Sequence, residues 1–334
     1  MEDACWEKAR KLDIGIDLNL FNSLSISADY FHDRREKILM QRGSWPSMLG
    51  YDTATPWGNV GKADNRGFDA SLNWTKQLTD DFSMSVRGTF TYIKNKLVYV
   101  DEPDYTYTWQ TTAGWPLVSY RWVGYVADGL FKDQEDIDNS PEQNLGSQVM
   151  PGDIKYRDLN GDGKITKADR TLISDCGTAP KVQYGLGVYL KWKGFDLGMF
   201  FNGSAKRTIL QSPMNPFGAD TGSEWGAGER QLAKYIDQQR WTEANPDPNA
   251  KYPRLGTLYT DVRNNLETST YWLRDGSFIR FKTLEFGYTF PFCRLYFSAD
   301  NLAVWSPFKL WDPELSWNSF PLQRTFNIGL QFHF

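Results

Sequence analysis

Long apolar runs are missing from this chain: nowhere do its 334 residues hold the roughly 20 consecutive apolar residues that a membrane-crossing helix needs. Cysteine is scarce. Its three copies (Cys5, Cys176 and Cys293) are odd in number, far apart and without a CxxC spacing. That usage excludes a disulfide scaffold and a cysteine-built zinc site, and leaves three incidental thiols. Positive charge is not in excess either; the formal net charge is −4, so no basic surface recommends nucleic acid as a partner. GxSxG, HExxH and P-loop patterns are all absent. With only His32 and His333 available, no assembled catalytic set remains, and we expect no enzyme. The opening residues, Met1-Glu2-Asp3-Ala4-Cys5-Trp6, show neither the basic region nor the apolar stretch of a signal peptide.

What the chain does have is aromatic side chains, 16% of all residues, with 14 tryptophans. A soluble domain rarely needs so many, whereas a transmembrane barrel uses them as girdles at both membrane interfaces. The strongest pattern is a period of two. Leu12, Ile14, Ile16, Leu18 and Leu20 alternate with Asp13, Gly15, Asp17 and Asn19. The same alternation recurs at 24–30, 68–74, 82–92, 182–192, 195–202, 284–290, 295–300 and 325–334. Each segment has one apolar and one polar face, which is the pattern of a strand between two unlike media. Average hydropathy cannot see such strands, because the two faces cancel.

The connections alternate as well. Short ones at Asn22-Ser23, Leu78 to Asp81, Lys193-Gly194 and Pro291 to Cys293 are interleaved with long ones at Met40 to Arg66, Val98 to Lys181, Ile209 to Ser277 and Ser306 to Leu322. Short turns on one side and long loops on the other predict an all-β, antiparallel transmembrane barrel of the bacterial outer membrane, with extracellular loops. The aromatic end at Phe334 resembles the signal read by barrel-assembly machinery. Nine strands cannot close a barrel of the usual even count, and an open edge in lipid is not tolerated. The sequence therefore reads as a partial barrel from a longer protein. His32 falls on the lumen or rim and His333 at the opposite rim, about 20 Å apart in depth, so they do not share a site.

One motif carries specific chemistry. Asp158, Asn160, Asp162, Gly163, Lys164, Thr166 and Asp169 stand at positions 1, 3, 5, 6, 7, 9 and 12 of a calcium-type loop. That spacing wraps oxygens around one point, with Lys164 offering its carbonyl and Thr166 a hydroxyl or a bridging water. Asp169 replaces the usual glutamate, as in dockerin-type loops. The bland alternative is a solvated Asp/Asn/Gly turn; we favour structural Ca²⁺ that stiffens an extracellular loop. Gly185 and Gly187 form a loose GxG inside a strand, where relief of crowding in the lumen is the better reading. The loops hold Trp45, Trp57, Trp109, Trp115, Trp122, Trp225, Trp241, Trp272, Trp311 and Trp317. These could stack on sugars, but packing, interface anchoring or partner contact is the expected role of any one of them.

Several of these segments resemble a known family. Trp6-Glu7-Lys8, Asp13 to Asp17, Ser27 to Phe31, Asn59-Val60-Gly61 with Asn65-Arg66-Gly67, Pro151 to Tyr156, and Gln323 to Leu330 are similar to SusC/RagA-like TonB-dependent transporters of Bacteroidetes. The resemblance covers essentially the whole chain. It implies that residues 1–334 are the C-terminal part of a TonB-dependent receptor barrel, with the plug domain and earlier strands upstream, and that 151–170 is a calcium-type loop within an extracellular loop. It further implies nutrient uptake across the outer membrane, energised by the TonB complex through that upstream part. A SusD-like surface lipoprotein would be the partner, and oligosaccharides or peptides the cargo. The competing class is a surface calcium-binding adhesion module with a dockerin-like loop. Dockerin-like binding calls for two such loops, and the chain has one.

Overall fold

Nine long strands form where the alternating segments stand, in a computed structural model that describes residues 5–45, 48, 55–211, 234–256, 261–315 and 319–332. They are β1 (Lys8–Leu20), β2 (Leu24–Gln41), β3 (Trp57–Thr79), β4 (Phe82–Tyr99), β5 (Val182–Trp192), β6 (Phe195–Ala205), β7 (Phe278–Thr289), β8 (Cys293–Trp305) and β9 (Thr325–Phe332). All nine lie in one sheet in strict chain order, each antiparallel to the next. At the β5–β6 hairpin, Lys193 and Gly194 take φ of 46° and 88°. Two consecutive positive φ values make the tight hairpin turn whose twist matches its strands, and they set the register Trp192 opposite Phe195. Among the described residues no helix is long and apolar enough to cross a membrane.

The register keeps every apolar set on one face. Ile14, Tyr30, Phe68, Tyr92 and Val182 occupy one hydrogen-bonded row, and Gly15, Asp29, Asp69, Thr91 and Gln183 the next. Because the side-chain period is two, a slip of one residue would exchange these faces completely. The apolar face is bare: Ile14, Ile16, Leu72, Leu186, Phe286 and Leu330 are all exposed. Large exposed apolar surface of this extent requires lipid rather than water beside it. On β4 the apolar run from Phe82 to Tyr92 covers ~33 Å of strand, or about 25 Å of membrane at a 40° tilt. Aromatic rings chain together at the short-turn end. Phe195 lies 6.4 Å from Trp192, 6.0 Å from Phe286 and 4.5 Å from Tyr288.

One expected boundary moves. The long connection between β2 and β3 shrinks to residues 42–56, because residues 57–66 belong to β3, so Trp57 stands on a strand and not in a loop as expected. β3 has 23 residues, about 75 Å of extended chain, far more than the roughly 9–11 residues that cross a bilayer. Its upper half carries charged residues on the outer face, so the hydrophobic alternation stops while the backbone ladder continues.

The remaining long loops build a second body at that end of the sheet. Short strand pairs join Ala127–Leu130 to Ile154–Tyr156, Trp122–Gly124 to Thr171–Ser174, and Thr208–Leu210 to Leu273–Asp275. They enclose a core of Tyr125, Ile154, Tyr156, Ile165, Trp241 and Trp272. Trp272 is fully buried, which removes about 200 Å² from water and contributes ~5 kcal/mol as an upper figure. The three cysteines are unpaired, as their spacing predicts.

Candidate functional site

Two surfaces can meet a solute: the polar inner face of the sheet and the cap that the loops form above it. On the inner face β1 to β3 contribute Asp17, Asp29, Asp69 and Asn73, with Asp29 directly opposite Asp69. Lys11 and Arg35 stand in the same inward rows nearer the long loops, and Arg87 follows on β4. Arg294 on β8 bridges two strands, its Nε 3.0 Å from Asp196 Oδ1 and its Nη2 2.5 Å from Glu285 Oε1, with a further bond to Asp196 Oδ2. Its guanidinium also lies 5.1 Å from the centre of the Tyr296 ring. Asp196 is buried, so the bidentate pairing offsets the cost of keeping that charge out of water. Above this cluster Arg87, Gly187, Tyr189, Phe200, Thr283 and Glu285 line a hollow of about 320 Å³. Gly185 and Gly187 leave room there for the Phe200 ring, and a Cβ on Gly185 would sit 2.9 Å from Thr89 Oγ1. A Cβ on Gly187 would meet nothing closer than 3.7 Å, so close approach on the lumen side is confined to Gly185.

The cap is held by a buried polar network. Asp153 forms an ion pair with Arg254, whose Nη2 donates to its Oδ2 at 3.1 Å, and accepts from Asn265 Nδ2 at 2.7 Å. Asn265 Oδ1 accepts the Ile154 amide at 2.8 Å, and the carbonyl of Asn265 takes the Trp272 indole N–H at 2.7 Å. Gln143 Nε2 donates to Asn264 Oδ1 at 2.7 Å, and Tyr156 Oη donates to the Asn264 carbonyl at 2.7 Å. Burial pushes the Asp153 carboxyl up, against the pull of the Arg254 guanidinium. Gly152 holds φ of +87°, and a Cβ there would stand 2.3 Å from the Trp241 ring. The segment Pro151 to Tyr156 is thus the keystone of the cap, a role its sequence alone does not reveal.

The calcium-type loop lies on the flank of this cap. The amides of Gly161 and Gly163 donate to the two oxygens of Asp158 at 2.7 and 2.8 Å. Burial acts to raise the Asp158 carboxyl, but these amides outweigh it and hold the group below the usual carboxylate range. Asn160 Oδ1 accepts the Asp162 amide at 3.0 Å, while its Nδ2 donates to Asp162 Oδ2 at 2.8 Å and to Tyr107 Oη at 3.1 Å. Asp162 Oδ1 accepts the Lys164 amide, and Lys164 Nζ reaches Glu142 Oε2 at 3.2 Å. Asp169 is fully buried and ties the loop's ends together, accepting the amides of Leu159 at 2.9 Å and Thr166 at 2.8 Å. Thr166 Oγ1 caps the short turn through the Ala168 amide at 3.2 Å. All six expected ligands therefore belong to one closed turn. Among the described residues no three His, Cys, Asp or Glu side chains converge as a metal cluster. The donor set is nonetheless all oxygen, which suits a hard cation such as Ca²⁺.

The remaining sequence-marked residues divide cleanly. Trp241 and Trp272 are buried in the cap, and Trp109 donates to the Ala168 carbonyl at 2.9 Å, so these act in packing. Trp45 and Trp57 are exposed. Trp225, Trp317, His333 and Phe334 lie outside the described residues. His32 sits at the rim on the outer face, with Nε2 2.6 Å from Asp64 Oδ2. Sequence reading missed Arg280. It is buried on β7 and pairs with Asp312 at 2.6 Å and Glu314 at 3.2 Å, pulling the last long loop inward. Only its position in an otherwise apolar-polar run could have marked it.

Comparison with known proteins agrees with this architecture. The family model described as TonB dependent receptor-like, beta-barrel matches residues 6–302. TonB-dependent receptor P3 of Formosa agariphila is 28% identical, covering 98% of this chain and 34% of the relative. TonB-dependent receptor SusC of Bacteroides thetaiotaomicron is 22% identical over 100% of this chain and 32% of the relative. Among solved structures, that of the RagAB peptide transporter superposes with a TM-score of 0.70 at 20% identity, covering 98% of this chain and 35% of that one. The chain thus spans about a third of the length of the curated relatives it matches. These relatives are receptors and transporters rather than enzymes, and the matches give no support to the adhesion reading.

Proposed function

The chain belongs to the TonB dependent receptor-like β-barrel family, whose members reside in the outer membrane, and from that premise we propose that it contributes wall and outer loops to an energised importer. The observation that carries this reading is the pairing of a lipid-facing apolar surface with a polar inner wall beneath a packed cap. In this proposal a SusD-like surface lipoprotein meets the cap from outside, and the TonB complex drives uptake from within. Oligosaccharides or peptides pass the inner wall; its mixture of carboxylates, amides and the Arg87 and Arg294 guanidiniums can hydrogen-bond either class. Cells lacking the gene should lose uptake of labelled oligopeptides or oligosaccharides, and affinity purification of the receptor should bring down a lipoprotein. Unchanged uptake of both cargo classes, with no lipoprotein recovered, would defeat the reading.

The same proposal includes Ca²⁺ at the loop of Asp158, Asn160, Asp162, Lys164, Thr166 and Asp169. Support comes from three carboxylates and an amide oxygen within one turn, and the ion would supply stiffness rather than chemistry. Isothermal titration at millimolar Ca²⁺ should register uptake that Asp158→Ala abolishes. A flat titration with the native protein would leave the loop as a self-capped turn.

A further inference from the structure

The outer face of β1 to β4 changes chemistry abruptly at the long-loop end. On β2 the outward residue after Tyr30 is His32 and the next is Arg34; on β3 Phe68 gives way to Arg66, Asp64 and Lys62; on β4 Tyr92 gives way to Lys94 and Lys96. On β1 Arg10 follows Leu12. Arg10, Arg66, Lys94 and Lys96 are exposed, and none makes an ion pair among the described residues. Lys206, just past β6, extends the patch, with its ammonium 5.5 Å from the Tyr92 ring centre. Outward acids are few. Glu36 faces Lys8, and Asp64 is buried and held by His32 at 2.6 Å and Arg34 at 3.4 Å. The inner face of the same strands is mixed and more acidic, with Asp13, Asp17, Asp29, Asp33 and Asp69 against Lys11, Arg35 and Arg87. A general excess of lysine and arginine does not explain this, since the chain as a whole is acidic.

We propose that this basic belt seats the phosphate groups of lipid in the leaflet at the long-loop end. The proposal rests on the reading that these strands cross a membrane. Its position is what selects the ligand: unpaired cations directly beyond an apolar surface meet headgroups, not solutes, and phosphate is the anion that lipid headgroups carry. Guanidinium and ammonium groups carried on adjacent strands of one ladder can converge on the same phosphate oxygens.

The test uses the full-length receptor in mild detergent, with lipid A and its dephosphorylated form as probes and native mass spectrometry as readout. The native protein should retain the phosphorylated form at least roughly tenfold better. Lys62→Gln, Arg66→Gln, Lys94→Gln and Lys96→Gln together should bring the two within about twofold, while Lys76→Gln near the short turns should change nothing. Should the combined variant not fold, raising salt on the native protein must collapse the preference in its place. Equal retention of both lipids by the native protein overturns the proposal, as does a preference that survives the four substitutions. Loss of any lipid association, with the protein recovered outside membranes, overturns the membrane reading itself.

Discussion

Placing one arginine on each face of the sheet tests the whole architecture. Leu186 stands in the outward row of β5, exposed, four residues from Val182 and six from Trp192. At ~3.3 Å per residue and a 40° tilt, it lies about 10 Å below the upper edge of the apolar band. An arginine stem reaches about 6 Å, so the guanidinium of Leu186→Arg stays within hydrocarbon. The expected cost is about 2–4 kcal/mol. Ser71, on the inner row opposite Ser27 and Thr89, faces the lumen, where Ser71→Arg should cost under ~1 kcal/mol. Denaturant unfolding of the full-length receptor in lipid vesicles, followed by tryptophan fluorescence, measures both. Equal costs would refute the assignment of faces, and a reversed order would mean that the register is slipped by one residue.

The cap offers sharper perturbations. Arg254→Met leaves the Asp153 carboxylate buried beside only Asn265 and the Met150 amide, and should destabilise the cap by about 3–5 kcal/mol. Hydrogen exchange should then accelerate at 150–156 and 261–272 while β1 to β9 stay protected. Gly152→Ala combines a positive φ with a collision against the Trp241 ring, so it should cost more than ~1 kcal/mol and loosen the same amides. Acidification should loosen the 158–169 loop. The folded carboxyl of Asp158 lies below its unfolded value, so its contribution is present above the ordinary carboxylate range and is lost as pH falls through the depressed value. Asp158→Asn should remove that pH dependence when amide exchange at Gly161 and Gly163 is followed against pH.

The membrane-spanning part of the fold was legible because lipid and lumen impose opposite preferences on neighbouring residues. Every stretch between two such media, from Leu12–Leu20 to the last strand, announces its own faces. Legibility ended where the medium changed. Gly58 to Arg66 continue the ladder of β3, but they lie beyond the apolar band and no apolar alternation survives to mark a strand. The cap was invisible for a different reason. Trp272 joins Tyr156 and Tyr125 from more than a hundred residues away, and short strands such as Ala127–Leu130 carry too few residues to show a period. The calcium-type loop was readable as a spacing, since its residues are local. That Asp169 ties the loop closed through two backbone amides was not, because oxygen donors that suit a cation suit amide N–H groups equally well.

A barrel of this kind needs its loops ordered as much as its wall, and the charges show how the two are joined. Arg280 is almost wholly buried, and its partners Asp312 and Glu314 come from the loop between β8 and β9. Asn95 on β4 accepts the Leu117 amide at 2.8 Å, and Arg42 beyond β2 holds Asp101 at 2.5 Å. The Arg42 and Ser44 donors overcome the effect of burial and keep the Asp101 carboxyl below its usual range. Each contact fastens a long loop to the strand ends by a charge or amide that water would otherwise solvate. Breaking one strands its partner, so the cost falls on the junction and not on the wall. The long loops are thus tied to the strand ends by buried charged and amide contacts.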